Sequence, residues 1–502
     1  MISWVHKARK QGLLFCRKEA KDFPTPGSAS LQDPVPANES FFGSFFSKKE
    51  LLACLLCLAV PLASQAASPE GEGSLYAGVR YQDSLTYLDN PSRPPDIWDA
   101  TKRIALGPAT LSLGGELRER IETYTNPNFG FNKAPGHNTY DLHRLLLQAD
   151  LRWGDQLRGF VQVSELQRLG VRGVTSTTDL DRLDLAQGFV DLAPWAGGPV
   201  LRAGRQELLL GFQRMVAVRE GANARRSFDG LRLSQRFTDV TLDAFALRPV
   251  ADKNAVFDDS PNLRQTLYGI TATVALRPGV NADLYWLSVD NTAATFRGKT
   301  GHEQRDSFGL RLFGTAGGFD WNHEAVLQTG MFRNLNISAW MLAAIAGYTF
   351  RDIAWEPRLA LEANATSGDD PRHGTLATFN APFPRLPYFA ETSLLVPSNV
   401  YDLRPTLTVK PLPRVTVVAA WDTLWRTSTR DSLYGNGMVA YPNTSKAQGR
   451  RVGTELSLDA RLQVDPHLTL GAIYAAFLAG EALTSVKGRD VSFLVGFATY
   501  KF

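Results

Sequence analysis

Val491-Ser-Phe-Leu-Val-Gly-Phe-Ala-Thr-Tyr-Lys-Phe502 decides the fold. Leu494, Gly496, Ala498, Tyr500 and Phe502 fall on one face of an extended strand, apolar in the middle and aromatic at the end. An apolar face that ends on aromatic rings suits the boundary between hydrocarbon and headgroups. Upstream, the same two-residue period returns from Leu111 onward, with almost no helical periodicity. Leu111, Leu113, Gly115 and Leu117 alternate with Ser112, Gly114, Glu116 and Arg118. Leu145, Leu147, Ala149, Leu151 and Trp153 alternate with Arg144, Gln148, Asp150 and Arg152. The chain reads as 18 candidate strands, the last being 491–502.

The connections between them alternate in length. Even-numbered strands are followed by short turns: Gly154-Asp155, Pro194 to Gly198, Arg277 to Gly279, Thr315 to Gly318, Pro411 to Pro413 and Asp465-Pro466. Odd-numbered strands are followed by long segments, roughly 125–141, 167–182, 211–226, 249–266, 290–305, 328–338, 366–399, 425–451 and 478–490. A soluble sandwich or propeller has no reason to alternate in this way. A transmembrane antiparallel β-barrel of the outer membrane does, with tight periplasmic turns and long external loops. Closure removes the sheet edges, because hydrocarbon satisfies no free N–H. Eighteen strands enclose an aqueous lumen rather than a filled core. A terminal strand of this kind resembles the one that the barrel assembly machinery recognises, so that machinery and membrane lipid are expected partners.

The other end of the chain agrees. Lys48-Lys49, the apolar run Leu51–Ala63 and Ser64-Gln65-Ala66 read as a secretory signal cleaved after Ala66. Residues 1–66 are therefore an extension plus signal, 67–109 a periplasmic lead-in that tucks toward the lumen, and 110–502 the barrel. Cys16, Cys54 and Cys57 all precede the cleavage point, which removes thiolate metal sites and cysteine nucleophiles from the mature chain. Beyond Ala66 there are 46 Lys and Arg against 45 Asp and Glu, so net charge selects no partner and gives no reason to expect nucleic acid. The kind of base is more telling: 38 of the 46 are Arg, which keep their charge and grip carboxylates with two bonds.

Several motifs resemble the alginate export family of outer-membrane barrels. They are Arg202-Ala-Gly-Arg205-Gln-Glu207-Leu, Arg225-Arg226-Ser-Phe-Asp229-Gly230-Leu-Arg232, Ser367-Gly-Asp-Asp370 with Thr378-Phe-Asn380-Ala-Pro-Phe-Pro384, Pro397-Ser-Asn399-Val-Tyr-Asp402-Leu-Arg404-Pro405, Trp421-Asp-Thr-Leu-Trp425-Arg426 and Arg451-Val-Gly-Thr-Glu455. The likeness covers about 110–502. It implies a constricted, Arg-lined lumen through which an anionic polysaccharide diffuses outward without a cofactor, supplied by a periplasmic export scaffold. Uptake of small carboxylates or other nutrients is the competing reading.

The alternation supplies candidate residues on its own. Arg118, Arg120, Arg144, Arg152, Arg232, Arg311, Arg358 and Arg404 fall on the polar phase of their strands, as do Glu362, Asp402 and Glu455. Arg205 joins them from a strand of ambiguous phase. A ring of Arg makes an anion filter, and interspersed acids keep each contact weak enough to release. The competing role for each Arg is pairing with a wall carboxylate. Asp369 and Asp370, in a Gly-Asp-Asp-Pro segment, are candidate Ca²⁺ ligands or simply a turn. Phe379, Phe383, Leu386, Tyr388 and Phe389 make loop 366–399 a candidate lid that packs inward. His137, His302 and His373 fall in loops, none beside a recognisable Ser nucleophile, so an enzyme is not expected.

Overall fold

A computed structural model describes residues 76–131, 136–172 and 176–502; the signal and the extension before it lie outside the described residues. Eighteen long antiparallel strands form one closed sheet, here numbered in chain order. They are β1 Ala109–Thr125, β2 His137–Trp153, β3 Leu157–Leu169, β4 Asp181–Leu192, β5 Val200–Glu207, β6 Ser227–Arg236, β7 Val240–Ala251, β8 Gln265–Arg277 and β9 Val280–Phe296. The ring continues with β10 Lys299–Ala316, β11 Phe319–Phe332, β12 Leu335–Thr349, β13 Arg358–Thr366, β14 Val400–Leu412, β15 Val415–Arg426, β16 Arg451–Gln463, β17 Leu468–Ala479 and β18 Val491–Lys501. Each pairs with its chain neighbours, and β1 closes the ring on β18 from Glu116↔Lys501 to Thr125↔Ser492.

The burial pattern is that of a barrel in lipid. On β1, Glu116 and Arg118 are buried while Leu117 and Ile121 are 40% and 56% exposed. Arg144 is wholly buried, and Leu147 and Leu151 are exposed. Water would favour the reverse arrangement; hydrocarbon outside and polar groups inside produce this one. The last strand obeys the expected phase, with Leu494 outward and Phe493 and Val495 inward. Trp153 and Trp421 stand on the outer surface, and Trp286 donates to the outward Asp306.

Two expected long loops are hairpins instead. β9 and β10 run on through 290–305 to a turn at Arg297-Gly298, and β11 and β12 through 328–338 to one at Arg333-Asn334. These stretches lose their alternation because both faces leave the lipid, while the backbone ladder continues without it. Phe296, Phe332 and Ile337 then pack with Leu376 to hold the tall hairpins together.

The lumen is not an open tube. Loops 208–226 and 367–399 turn inward from the long-loop end and join each other by backbone bonds: Ala217 N–H to Phe383 O at 2.8 Å, Phe383 N–H to Met215 O at 3.0 Å and Arg385 N–H to Gln213 O at 3.0 Å. Phe379, Phe383, Tyr388 and Phe389 are buried against Phe228, Phe245, Leu247, Leu267, Met341 and Leu424 of the wall. From the short-turn end the lead-in reaches up: Tyr81 packs on Phe160 and Phe189, and its hydroxyl donates to Glu207 O at 3.2 Å. Trp98 stacks on Phe502 at 4.2 Å.

One glycine pair sets the phase of the wall. Gly204 on β5 and its register partner Gly230 on β6 have φ of +128° and +151°, a region closed to side chains. A Cβ on Gly204 would lie 2.3 Å from Gly188 O. The kink breaks strict alternation, so that both Arg202 and Arg205 are buried on the inner side. Gly204→Val is therefore expected to cost about 1–3 kcal/mol of barrel stability. The urea midpoint of the refolded barrel, read from heat-modifiable migration, checks this; an unchanged midpoint would mean the kink is dispensable.

Candidate functional site

The strands carry the candidate side chains inward, and each of the nine Arg selected from the sequence meets a carboxylate. Arg205 binds Asp229 with two bonds, 2.9 and 3.1 Å. Arg232 binds Asp243 at 2.8 Å and touches the Tyr81 hydroxyl. Arg311 binds Asp283 at 2.7 Å and lies over the Phe313 ring. Arg358 binds Asp320 at 2.6 and 2.8 Å, Arg120 binds Glu122 at 2.5 Å, and Arg152 binds Asp150 at 3.0 Å beside the first short turn. Arg404 binds Glu391 at 2.9 Å and the Phe389 carbonyl, with Glu362 3.9 Å away.

Arg118 and Arg144 differ from the rest. With Arg225, they converge on the carboxylate of Glu220, which comes from the inward loop rather than from the wall. The three Arg side chains are 5%, 0% and 7% exposed, and that of Glu220 is 54% exposed. Arg144 is also held by Glu116 at 2.8 Å through Nε, and Arg225 by Glu207 at 2.6 Å through Nε. Among the described residues Arg118 has no carboxylate partner besides Glu220; it otherwise donates to the carbonyls of Glu220 and Ala222 and to Asn223 Oδ1. Wall carboxylates therefore fix two of the cations, and a half-exposed loop carboxylate completes the cluster.

A second stretch of the wall is acidic. Glu362, Asp402, Asp422 and Glu455 project from β13, β14, β15 and β16, all buried. Asp402 accepts the Asn364 N–H at 3.0 Å. Neither oxygen of Asp422 has a hydrogen-bond partner among the described residues. Glu455 anchors loop 367–399, accepting Glu391 N–H at 2.6 Å, Thr392 N–H at 3.2 Å and Thr392 Oγ1 at 2.6 Å. Glu362 accepts from Arg385 of the same loop at 3.3 Å.

The inner surface has contributors that strand alternation does not select. Arg214, Glu220, Arg225, Arg226 and Arg385 sit in loops, where no period marks their direction. Arg202 binds Asp191 with two bonds and lies over Tyr81 and Phe189; its polar phase is the signal that could have found it. Arg305 binds Glu303 and was hidden by the reading of 290–305 as loop. Burial pulls the Arg214 guanidinium down, but Glu324 at 2.8 Å more than offsets this and leaves it above its ordinary value. Arg226 has no carboxylate partner among the described residues; burial and the neighbouring Arg219 push it down to about 9, still a cation at neutral pH.

Asp369 and Asp370 are engaged by guanidinium groups. Asp369 takes Arg297 with two bonds and the Ala377 N–H, and Asp370 takes Arg372 and Arg430. A cation at Asp370 would have to displace Arg372, whose hydrogen bonds hold that carboxyl well below the usual carboxylate range.

The sequence profile described as "Alginate export" matches residues 109–497. A search of curated protein sequences returns no match. Among solved structures, the outer membrane protein OprD of Pseudomonas aeruginosa is similar at 14% identity, over 78% of this chain and 93% of that one, with a TM-score of 0.51. OpdQ of the same organism is similar at 13% identity, over 78% and 98%, with a TM-score of 0.54. OccK11 (OpdR), also from that organism, is similar at 13% identity, over 78% and 96%, with a TM-score of 0.52. At such identities the likeness is one of fold: the closed barrel. The profile match spans nearly the whole barrel, from the first strand into the last, and the chain belongs to the alginate export family of outer-membrane β-barrel proteins.

Proposed function

We propose that this protein is an outer-membrane channel that passes an anionic, uronate-type polysaccharide outward, without a cofactor and without catalysis of its own. One observation carries the reading: the buried cluster of Arg118, Arg144 and Arg225 is completed by the half-exposed Glu220 from a loop. A carboxylate of the passing chain can exchange with that of Glu220, because both present the same planar pair of oxygens to the guanidinium forks. Arg226 adds a cation without an acidic partner at the loop junction, over the Phe383 ring. The wall pairs serve the barrel itself: they neutralise inward charges that lipid and neighbouring strands cannot solvate.

Passage requires loops 208–226 and 367–399 to separate, since their backbone bonds cross the lumen. A second reading, uptake of small carboxylates through the same lumen, draws on these crossing loops, which suit small solutes better than a polymer. Single-channel recording separates the two. Refolded residues 67–502 in a planar bilayer, across a KCl gradient, are expected to be anion-selective and to be blocked by oligomannuronate but not by a neutral oligosaccharide. Cation selectivity, or indifference to the uronate, would sink the polyuronate reading.

A further inference from the structure

We propose that the long-loop end of the barrel binds one divalent cation of the calcium type between β4 and loop 252–264. One carboxylate oxygen from each of Asp181, Asp184 and Asp259 lies within 4.8 Å of the others. Asp181 and Asp184 are each 3% exposed at the start of β4. Proximity of acids does not by itself make a site. The second observation is Asp181: its Oδ1 is buried without a hydrogen-bond partner, and among the described residues no Lys, Arg or His pairs with the carboxylate. A buried carboxyl directed at two others is costly to ionise unless a cation balances it.

The surroundings fit a hard cation. The donors are all oxygens, with neither thiolate nor imidazole, which selects calcium-like ions over zinc or copper. Asp184 is already held in place, its Oδ1 accepting Leu185 N–H at 2.7 Å and its Oδ2 accepting Asp259 N–H at 3.1 Å. Asp259 Oδ1 accepts Lys253 N–H at 2.6 Å. Phe257 N–H to Leu183 O, at 2.8 Å, pins the loop to the strand. Asp258 adds another buried oxygen, Oδ1, without a hydrogen-bond partner among the described residues. Two cations border the site: Arg205, 3.7 Å from Asp184 Oδ1, has its guanidinium engaged by Asp229 with two bonds, and Lys253 Nζ donates to the Asp258 carbonyl. Asp252 is balanced by Arg219. A bound cation would clamp loop 252–264 onto the wall beside the Gly204–Gly230 kink. This site is distinct from Asp369 and Asp370, whose oxygens already hold Arg side chains.

The test uses the refolded barrel in detergent, with calcium chloride as titrant in calorimetry and the thermal midpoint of the heat-modifiable band as a second readout. Wild type is expected to bind one Ca²⁺ per chain and to melt several degrees higher in calcium than in EDTA. Asp181→Asn is expected to weaken binding at least tenfold and to abolish the calcium-dependent shift. Asp259→Asn serves in its place if the first variant does not refold. Asp370→Asn is expected to bind as wild type does. The proposal is overturned if wild type shows no saturable binding up to millimolar calcium, or if Asp181→Asn and Asp259→Asn keep the full shift. Overturning it would mean that the three acids share a proton instead.

Discussion

Glu220→Gln is expected to raise the anion-to-cation permeability ratio and to tighten block by oligomannuronate about tenfold, the equivalent of about 1.4 kcal/mol. Glu220 is the exposed member of its cluster, and Glu116 and Glu207 are 2% and 1% exposed. Neutralising it leaves Arg118, Arg144 and Arg225 facing two carboxylates, both from the wall, rather than three. Arg118 then has no acidic partner among the described residues. A solute carboxylate gains the vacated position without competing against an intramolecular one, whose effective concentration is high. Because Gln retains a planar acceptor of similar size, the loop keeps its backbone contacts with Arg118 through Glu220 O and Ala222 O. The gain should shrink as salt rises, since it rests on charge reached from the aqueous side. Permeability ratio and block, measured at two ionic strengths, decide the matter. Unchanged values would reduce Glu220 to a structural tie and remove the main support for the anion channel.

Glu455→Ala is expected to release loop 367–399 from the wall and to raise single-channel conductance. The wild-type carboxylate, 1% exposed, takes two backbone N–H groups and one hydroxyl of that loop. Hydrogen bonds to a charged group contribute roughly 1.5–3 kcal/mol each and do not simply add, so the anchor holds the loop by about 3 kcal/mol or more. Alanine also leaves the Glu391 and Thr392 N–H groups without acceptors inside the lumen. Barrel closure does not depend on this anchor, because the β15–β16 and β16–β17 ladders run through backbone atoms. The variant should therefore refold and migrate as a folded barrel while its loop becomes sensitive to protease. Glu455→Gln separates geometry from charge: it keeps an acceptor and is expected to change selectivity more than conductance. If Glu455→Ala matches wild type in both conductance and loop cleavage, the apolar packing of Phe379, Phe383 and Tyr388 and the remaining polar ties, such as Arg385 to Glu362, hold the loop without it.

The two predictions draw on different parts of what was legible. Arg118, Arg144 and Glu455 were readable as inward residues, because lipid on one side and water on the other impose a period of two on every strand. Glu220 and Arg225 were not, because a loop has no period to betray where it folds. Arg118 and Glu220 are 102 positions apart, and Arg214 and Glu324 are 110 apart. Nothing local pairs them. The same limit explains 290–305 and 328–338, where the ladder outruns the membrane and the alternation fades although the strands continue.

The sequence by itself determined the closed antiparallel barrel, its 18 strands, the short turns at one end and the inward phase of most candidate side chains. All of these follow from backbone geometry and from the solvent on each face, which act residue by residue. Only the tertiary structure decided which carboxylate meets which Arg, how Gly204 and Gly230 turn Arg205 inward, and that two loops cross the lumen and pack there. Those outcomes depend on the register of strands far apart in the chain and on the burial of loop aromatics against a wall that exists only once the ring has closed.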